Sequence, residues 1–332
     1  MLRELCDWAW PAVMGPVLAA VRPRSSGEVP PARPPRIVLV PCGRIGVVPW
    51  HAARTGRAGE PGHRYACQEA VISYAPSGTQ FLAPAGRRRM SPADGRQVLV
   101  ADPELTLPWA EVEAEALRAS CYPGALRYGE FVGTDEEADA AGTPADLLAV
   151  LPGGASPASV VHLACHARAA SRPTDSALRL AGPPGADREA GRLTVAGLMD
   201  GAVDVPPDAA GPLVVLSACE TDLSTRHHDE ALTLATALTT RGAADVVGSR
   251  WAVRDAATAV MMAVFHHHLT AGGLAPPDAL RAAQSWMLDP HRRLPFPLDE
   301  PLRHEAARSD LHQPHHWAAF THQGNPAPAW RR

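Results

Sequence analysis

The 332-residue sequence predicts an α/β fold: a mostly parallel central sheet with helices on both faces. Short β-branched apolar runs alternate with longer stretches of helical period, most plainly between 143 and 288, which is the pattern of βαβ units. Several of these runs, such as Leu213-Val-Val-Leu-Ser217, are apolar without alternation, as strands buried on both faces are. Hydrophobic residues make up 46%, ample for a core, and the 34 Pro and 27 Gly punctuate the apolar runs rather than interrupt them.

In chain order, residues 2–21 have near-helical apolar spacing and 23–35 read as a loop. Arg36–Pro41, Glu69–Tyr74 and Gln97–Ala101 are predicted strands, and Trp109–Ala119 a helix crowded with Glu111, Glu113 and Glu115. The second half predicts a helix at Thr143–Leu151, strands at Ser159–Ala164 and Leu213–Ser217, and a helix at Asp229–Thr240. A strand at Ala244–Gly248 and helices at Asp255–Leu269 and Pro277–Leu288 follow. Residues 289–315 are polar and Pro-rich, and a closing strand with a tail ends the chain. No period of the helical-repeat kind is visible.

Net charge is −4, aromatics are 5%, and no basic stripe interleaved with aromatics occurs, so no nucleic-acid surface is expected. Every basic side chain other than His is Arg, a compositional bias. The six Cys, at 6, 42, 67, 121, 165 and 219, form no CxxC pair. That pattern argues against a disulfide scaffold and for a reducing, cytoplasmic setting. The first residues carry acids, and the apolar stretch Trp8–Val21 is broken by Pro11 and Pro16, so neither secretion nor a membrane span is expected.

Ligands meet a parallel sheet at the carboxyl ends of its strands. His166 follows the strand Ser159–Ala164, and Cys219 follows Leu213–Ser217. If the two strands are neighbours, about 5 Å apart, imidazole and thiol meet on one rim. A thiol with a free pKa of about 8.5 attacks as thiolate, and an adjacent imidazole takes its proton and later protonates a leaving amine. The backbone N–H groups of Ala167 and Cys219 are candidate oxyanion donors, one such donor being worth ~10²–10³ in rate. His166 precedes Cys219 by 53 residues, the order and approximate spacing of the caspase signature, although the local caspase pattern around the Cys is not matched. Taken singly, a Cys or His at a strand end is more often structural; the joint order and spacing is what points to a dyad.

The residues around the pair carry a resemblance. Val161-His-Leu-Ala-Cys-His166 and Val214-Val-Leu-Ser-Ala-Cys-Glu-Thr221 resemble the His and nucleophile motifs of the CHAT family. Asp229-Glu230, Arg241-Gly-Ala-Ala-Asp-Val-Val-Gly-Ser-Arg-Trp251, Val253 and Asp255 follow in the family's order. Arg36–Pro41 with Val48-Pro-Trp-His-Ala52, Tyr74-Ala-Pro-Ser77, Ala101-Asp-Pro103 and Trp317-Ala-Ala-Phe320 are also similar to it. The likeness implies a caspase-like fold related to separases and gingipains, over residues 1–324. A degenerate N-terminal half (1–142) would accompany a catalytic half (143–324), with a tail at 325–332. It further implies cysteine endopeptidase activity on protein or peptide substrates, no metal or organic cofactor, and latency until a protein partner or a cleavage orders the site. Ala167 stands where the family usually has Gly, and a required positive φ there would cost roughly 1 kcal/mol or more. No helical repeats are visible within this sequence. Those two departures keep open a catalytically inactive CHAT domain acting as a protein-interaction module.

Glu220, Trp251 and Asp255 are candidates for substrate binding. Asp255 would pair with Arg or Lys before the scissile bond, the plain alternative being a helix cap. Asp229 and Glu230 are candidates for ordering the site loop, although acids also favour a helix start without any function. His162 alternates into the sheet with Ala164 and is read as core or site-orienting; Cys165 is read as structural. His266, His267 and His268 point in different directions on a helix, unlike a zinc set. Residues 167–190 are a candidate mobile loop.

Overall fold

A computed structural model describes residues 1–21, 33–56, 63–93, 95–133, 137–183, 185, 188–200, 205–206, 209–217 and 233–329. Its strands are β1 (Arg36–Leu39), β2 (Val71–Tyr74), β3 (Gln97–Ala101), β4 (Leu126–Gly129) and β5 (Val160–Ala164). Three short ones follow, β6 (Ala167–Arg168), β7 (Ala177–Arg179) and β8 (Arg192–Thr194). The last are β9 (Leu213–Leu216), β10 (Asp245–Ser249) and β11 (Phe320–Gly324).

Eight strands form one sheet in the order β1-β2-β11-β10-β9-β5-β3-β4. β10, β9, β5, β3 and β4 run parallel, β1 is parallel to β2, and β11 is antiparallel to β10. Strands from residues 1–142 take both flanks of this sheet, and the strands of residues 143–324 fill its centre. The alternation of side chains along the strands feeds two cores. Val161, Leu163, Val214 and Leu216 face the helices Pro144–Val150, Val195–Asp200 and Leu234–Arg241. Val160 and Leu99 face the helix Ala110–Ser120, while Leu213 and Val215 pack towards Asp255–Thr270 and Pro276–Leu288.

Local chemistry explains where the helices begin and end. Thr143 and Asp146 form a reciprocal capping box, Asp146 N–H donating to Thr143 Oγ1 at 3.2 Å and Thr143 N–H to Asp146 Oδ2 at 2.9 Å. The helix Leu234–Arg241 starts on a Thr233 cap and stops at Gly242, whose φ of 120° suits glycine. The helix Asp255–Thr270 is buried along most of its 16 residues, because it lies between the sheet and a second layer of helices.

Expected elements and observed ones agree closely in the sheet: Gln97–Ala101 is found as predicted, and Leu213–Ser217 ends one residue early. The stretch 167–190 departs from the loop expectation. It contributes β6 and β7 to a separate antiparallel sheet with order β6-β7-β8, above the end of β5. Proline and glycine there mark the turns between very short strands, which are too brief to show a period of two. β4 and the helices Gly78–Gly86 and Glu300–Ala306 were likewise not expected. Of the predicted helix Asp229–Thr240, residues 229–232 lie outside the described residues.

Candidate active site

β5 and β9 are hydrogen-bonded neighbours in parallel register, with Leu163 opposite Leu216. The chain leaves both strands on the same rim of the sheet, so the geometric condition for a His166–Cys219 pairing is met by the strands themselves. Cys219, Glu220, Asp229 and Glu230 lie outside the described residues.

His166 is held by a relay that starts on the neighbouring strand. Asp102, at the end of β3, is 2% exposed. Its Oδ2 accepts from Thr106 N–H at 2.7 Å, Leu107 N–H at 2.9 Å and Thr106 Oγ1–H at 2.9 Å, and its Oδ1 accepts from Glu104 N–H at 3.2 Å. This carboxylate folds the 102–107 loop into a knot of local bonds. Leu105 sits within it at φ 55°, a left-handed conformation costing about 1–2 kcal/mol for a non-glycine residue. Thr106 Oγ1 then meets His166 Nε2 at 2.7 Å.

The hydroxyl has one proton to give, and the Asp102 carboxylate only accepts. Thr106 therefore donates to Asp102 and accepts from His166 Nε2–H. That assignment leaves the Nδ1 lone pair of His166 available to accept a proton. Its tautomer follows from the hydrogen-bond network. Thr106→Val keeps the side-chain shape and removes the hydroxyl. If His166 acts as a base in peptide hydrolysis, kcat of the variant is expected to fall about 10–100-fold with KM little changed, the size typical of partners that orient a reacting imidazole. Steady-state kinetics on a peptide substrate check this; wild-type kcat would remove Thr106 from the site.

The small sheet buttresses the same histidine. Arg179 N–H on β7 donates to the His166 carbonyl at 2.8 Å, and the Arg179 guanidinium pairs with Glu104 of the 102–107 loop at 2.8 Å. Because His166 and Arg179 are bonded, the next antiparallel pair, Ala167 and Leu178, is a non-hydrogen-bonded one. The Ala167 N–H consequently points away from β7 and is not consumed by that ladder. Leu105 is the non-glycine residue at positive φ among the described residues, so Ala167 carries no such strain. The conformational cost expected from replacing glycine does not arise.

An open cleft is lined by Leu107, Trp109, Glu113, Cys165, Ser217 and Asp255 among others, and His166 follows Cys165 directly in the chain. Asp255 is the first residue of the helix that follows β10, with Arg254 at the cap position. Its carboxyl is raised above the ordinary range, first by burial and then by the like charge of Glu113, while His166 acts in the opposite sense. Trp251 does not line this cleft; it is half-buried against the core. Cys165 is fully buried, and its thiol is pushed well above the usual range by burial, as befits a structural cysteine. Among the described residues no three His, Cys, Asp or Glu come together as metal ligands would.

Two parts of this arrangement were not foreseen: Asp102 with Thr106, and Glu113. Glu113 had a signal, because it is three residues after Ala110 and four before Leu117, on the buried stripe of its helix. Thr106 had none; its role arises from a contact with a residue 60 positions away.

A mostly parallel sheet with a histidine fixed at the end of a central strand defines a caspase-like α/β protein. The chain belongs to the CHAT domain family, whose model matches residues 3–325. Its fold is similar to that of the Arg-specific cysteine proteinase gingipain R (RgpB), with TM-score 0.53 and 12% identity over 96% of this chain and 68% of that one. A complex of Porphyromonas gingivalis RgpB pro- and mature domains gives TM-score 0.48 and 13% identity, over 96% of this chain and 70% of that one. No curated protein matches the chain.

Proposed function

We infer that this CHAT domain is a cysteine endopeptidase with Cys219 as nucleophile and His166 as base and acid. The observation that carries the reading is the β5–β9 adjacency, with His166 held through Thr106 on Asp102 so that Nδ1 is left as the base. His166 Nδ1 takes the Cys219 proton, and the thiolate adds to the substrate carbonyl. The oxyanion is held by the N–H groups of Ala167 and Cys219. Collapse expels the amine, which leaves with the proton from His166. Water, deprotonated by His166, then hydrolyses the thioester and frees the thiol.

In this reading Asp255 meets a basic side chain before the scissile bond, Glu220 and Trp251 flank the substrate, and Asp229 and Glu230 order the loop that carries the nucleophile. No cofactor takes part, and a protein partner or a cleavage releases the latent enzyme. Among the described residues the cysteines are unpaired, in keeping with a reducing cytoplasm, and no helix is long and apolar enough to cross a membrane.

Peptidyl electrophiles ending in arginine, lysine, leucine or aspartate test the reading by mass spectrometry. Arginyl and lysyl reagents are expected to modify Cys219 fastest, and Asp255→Asn to slow arginyl labelling about tenfold or more while sparing the leucyl reagent. Preference for the aspartyl reagent, or modification at another cysteine, would overturn it. Inertness to all four, in protein cleaved by limited proteolysis as well as intact, would favour the inactive interaction module instead.

A further inference from the structure

The cleft that Asp255 lines has a second carboxylate that the mechanism above leaves unused. Glu113 lines it yet is only 3% exposed. Its Oε1 lies 2.8 Å from His162 Nε2; His162 Nδ1 lies 3.1 Å from His266 Nε2; and His266 Nδ1 lies 2.8 Å from the Tyr122 hydroxyl. Both imidazoles are fully buried, and Tyr122 is 3% exposed. The four groups come from β5, the two helices packed on that face of the sheet, and the turn that ends the first of them.

With one proton on each imidazole, one directed arrangement satisfies every contact. Tyr122 donates to His266 Nδ1, His266 Nε2–H to His162 Nδ1, and His162 Nε2–H to Glu113. Glu113 is then the terminal acceptor of the chain. Burial and the neighbouring His162 depress the basicity of His266, which fits a neutral His266 ring. A buried carboxylate that spends one oxygen on an internal donor keeps the other for whatever enters beside it. Among the described residues no hydrogen bond uses its second oxygen. Asp255 looks into the same cleft and feels the charge of Glu113.

We propose that Glu113 is the specificity-determining carboxylate of this cleft, selecting a guanidinium side chain jointly with Asp255, and that the Tyr122–His266–His162 chain positions it. The assignment takes the cleft to be the substrate cleft of the peptidase described above. Two carboxylates converging on one opening suit the planar fork of a guanidinium better than the point charge of an ammonium. His162 is thereby a positioning residue.

Agmatine, an arginine side chain without its backbone, and cadaverine, a diamine, are the probes. Binding is measured by calorimetry on the full chain in the Cys219→Ala background, so that no turnover is needed. Agmatine is expected to bind more tightly than cadaverine, and Glu113→Gln to weaken agmatine at least tenfold with the unfolding midpoint near its parent's. Should Glu113→Gln fail to fold, Glu113→Asp serves: its carboxylate is withdrawn by one methylene, and the preference for agmatine over cadaverine should collapse. Parental agmatine affinity in Glu113→Gln, or an unchanged preference in Glu113→Asp, overturns the proposal. So does absence of agmatine binding to the parent. If agmatine binding depends on Glu113 while no electrophile modifies Cys219, the peptidase reading fails and the guanidinium site stands. If electrophiles modify Cys219 without regard to Glu113, the site fails and the peptidase stands.

Discussion

Cys219→Ala should abolish peptide hydrolysis, and His166→Ala should lower kcat/KM by about 10³–10⁴, with circular dichroism and unfolding midpoint unchanged in both. The asymmetry has a physical basis. Without the sulfur no acyl-enzyme forms, whereas without the imidazole the thiol still ionises to a few per cent near neutrality. What His166→Ala retains is then set by that thiolate fraction. Its residual activity should rise with pH towards the thiol pKa near 8.5, where the wild type has levelled off. The double variant should be no worse than Cys219→Ala alone, because the two groups act as a unit. A Cys219→Ala protein that cleaves like the wild type would end the assignment. The expectation rests on β5 lying against β9, with Leu163 opposite Leu216, since Cys219 itself is outside the described residues.

The strand ends that frame this site were legible because each carries a local signal. Leu213–Leu216 is an unbroken apolar run and Val160–Ala164 one interrupted only by His162, and buried parallel strands have few other ways to look. Their adjacency was stated only as a condition, because strand order in a parallel sheet is a long-range property: β3 comes between β5 and β4, and β11 between β10 and β2. The relay was illegible for the same reason. An exposed threonine in Glu104-Leu-Thr-Leu107 matches no motif until Asp102 and His166 are brought to it. By contrast, His162 in an apolar strand and His266 in an apolar helix each demanded a partner, and the structure makes them partners of one another at 3.1 Å. Sequence can announce a buried polar group; it cannot announce which one answers it.

Acid should unfold this protein through histidines that the fold keeps neutral, His266 and His51 among them, and the contribution of His51 can be worked through. It is 2% exposed, bonds the Tyr74 hydroxyl at 2.8 Å through Nδ1, and lies beside the buried Arg250. Burial first, and then the charge of Arg250, push its pKa down from 6.5 to about 3. His322, buried against Asp245, is also lowered by burial although the carboxylate works the other way. An unfolded chain binds these protons at about pH 6.5, whereas the folded one resists until its lower pKa. The unfolded state therefore gains protons first, and stability is lost as pH falls from 6.5 towards 3. Each pH unit in that window removes about 1.4 kcal/mol for His51 alone, or roughly 3 kcal/mol between pH 6.5 and 4. That is a large part of a typical 5–15 kcal/mol. Urea unfolding at pH 7.5, 6, 5 and 4 measures the effect. His51→Gln should start about 1 kcal/mol less stable, having lost the Tyr74 bond. Its decline below pH 6.5 should then be shallower by about one proton's worth of slope. Equal slopes for the two proteins would mean that His51 is free to protonate in the native fold, contrary to its burial between Tyr74, Trp317 and Arg250.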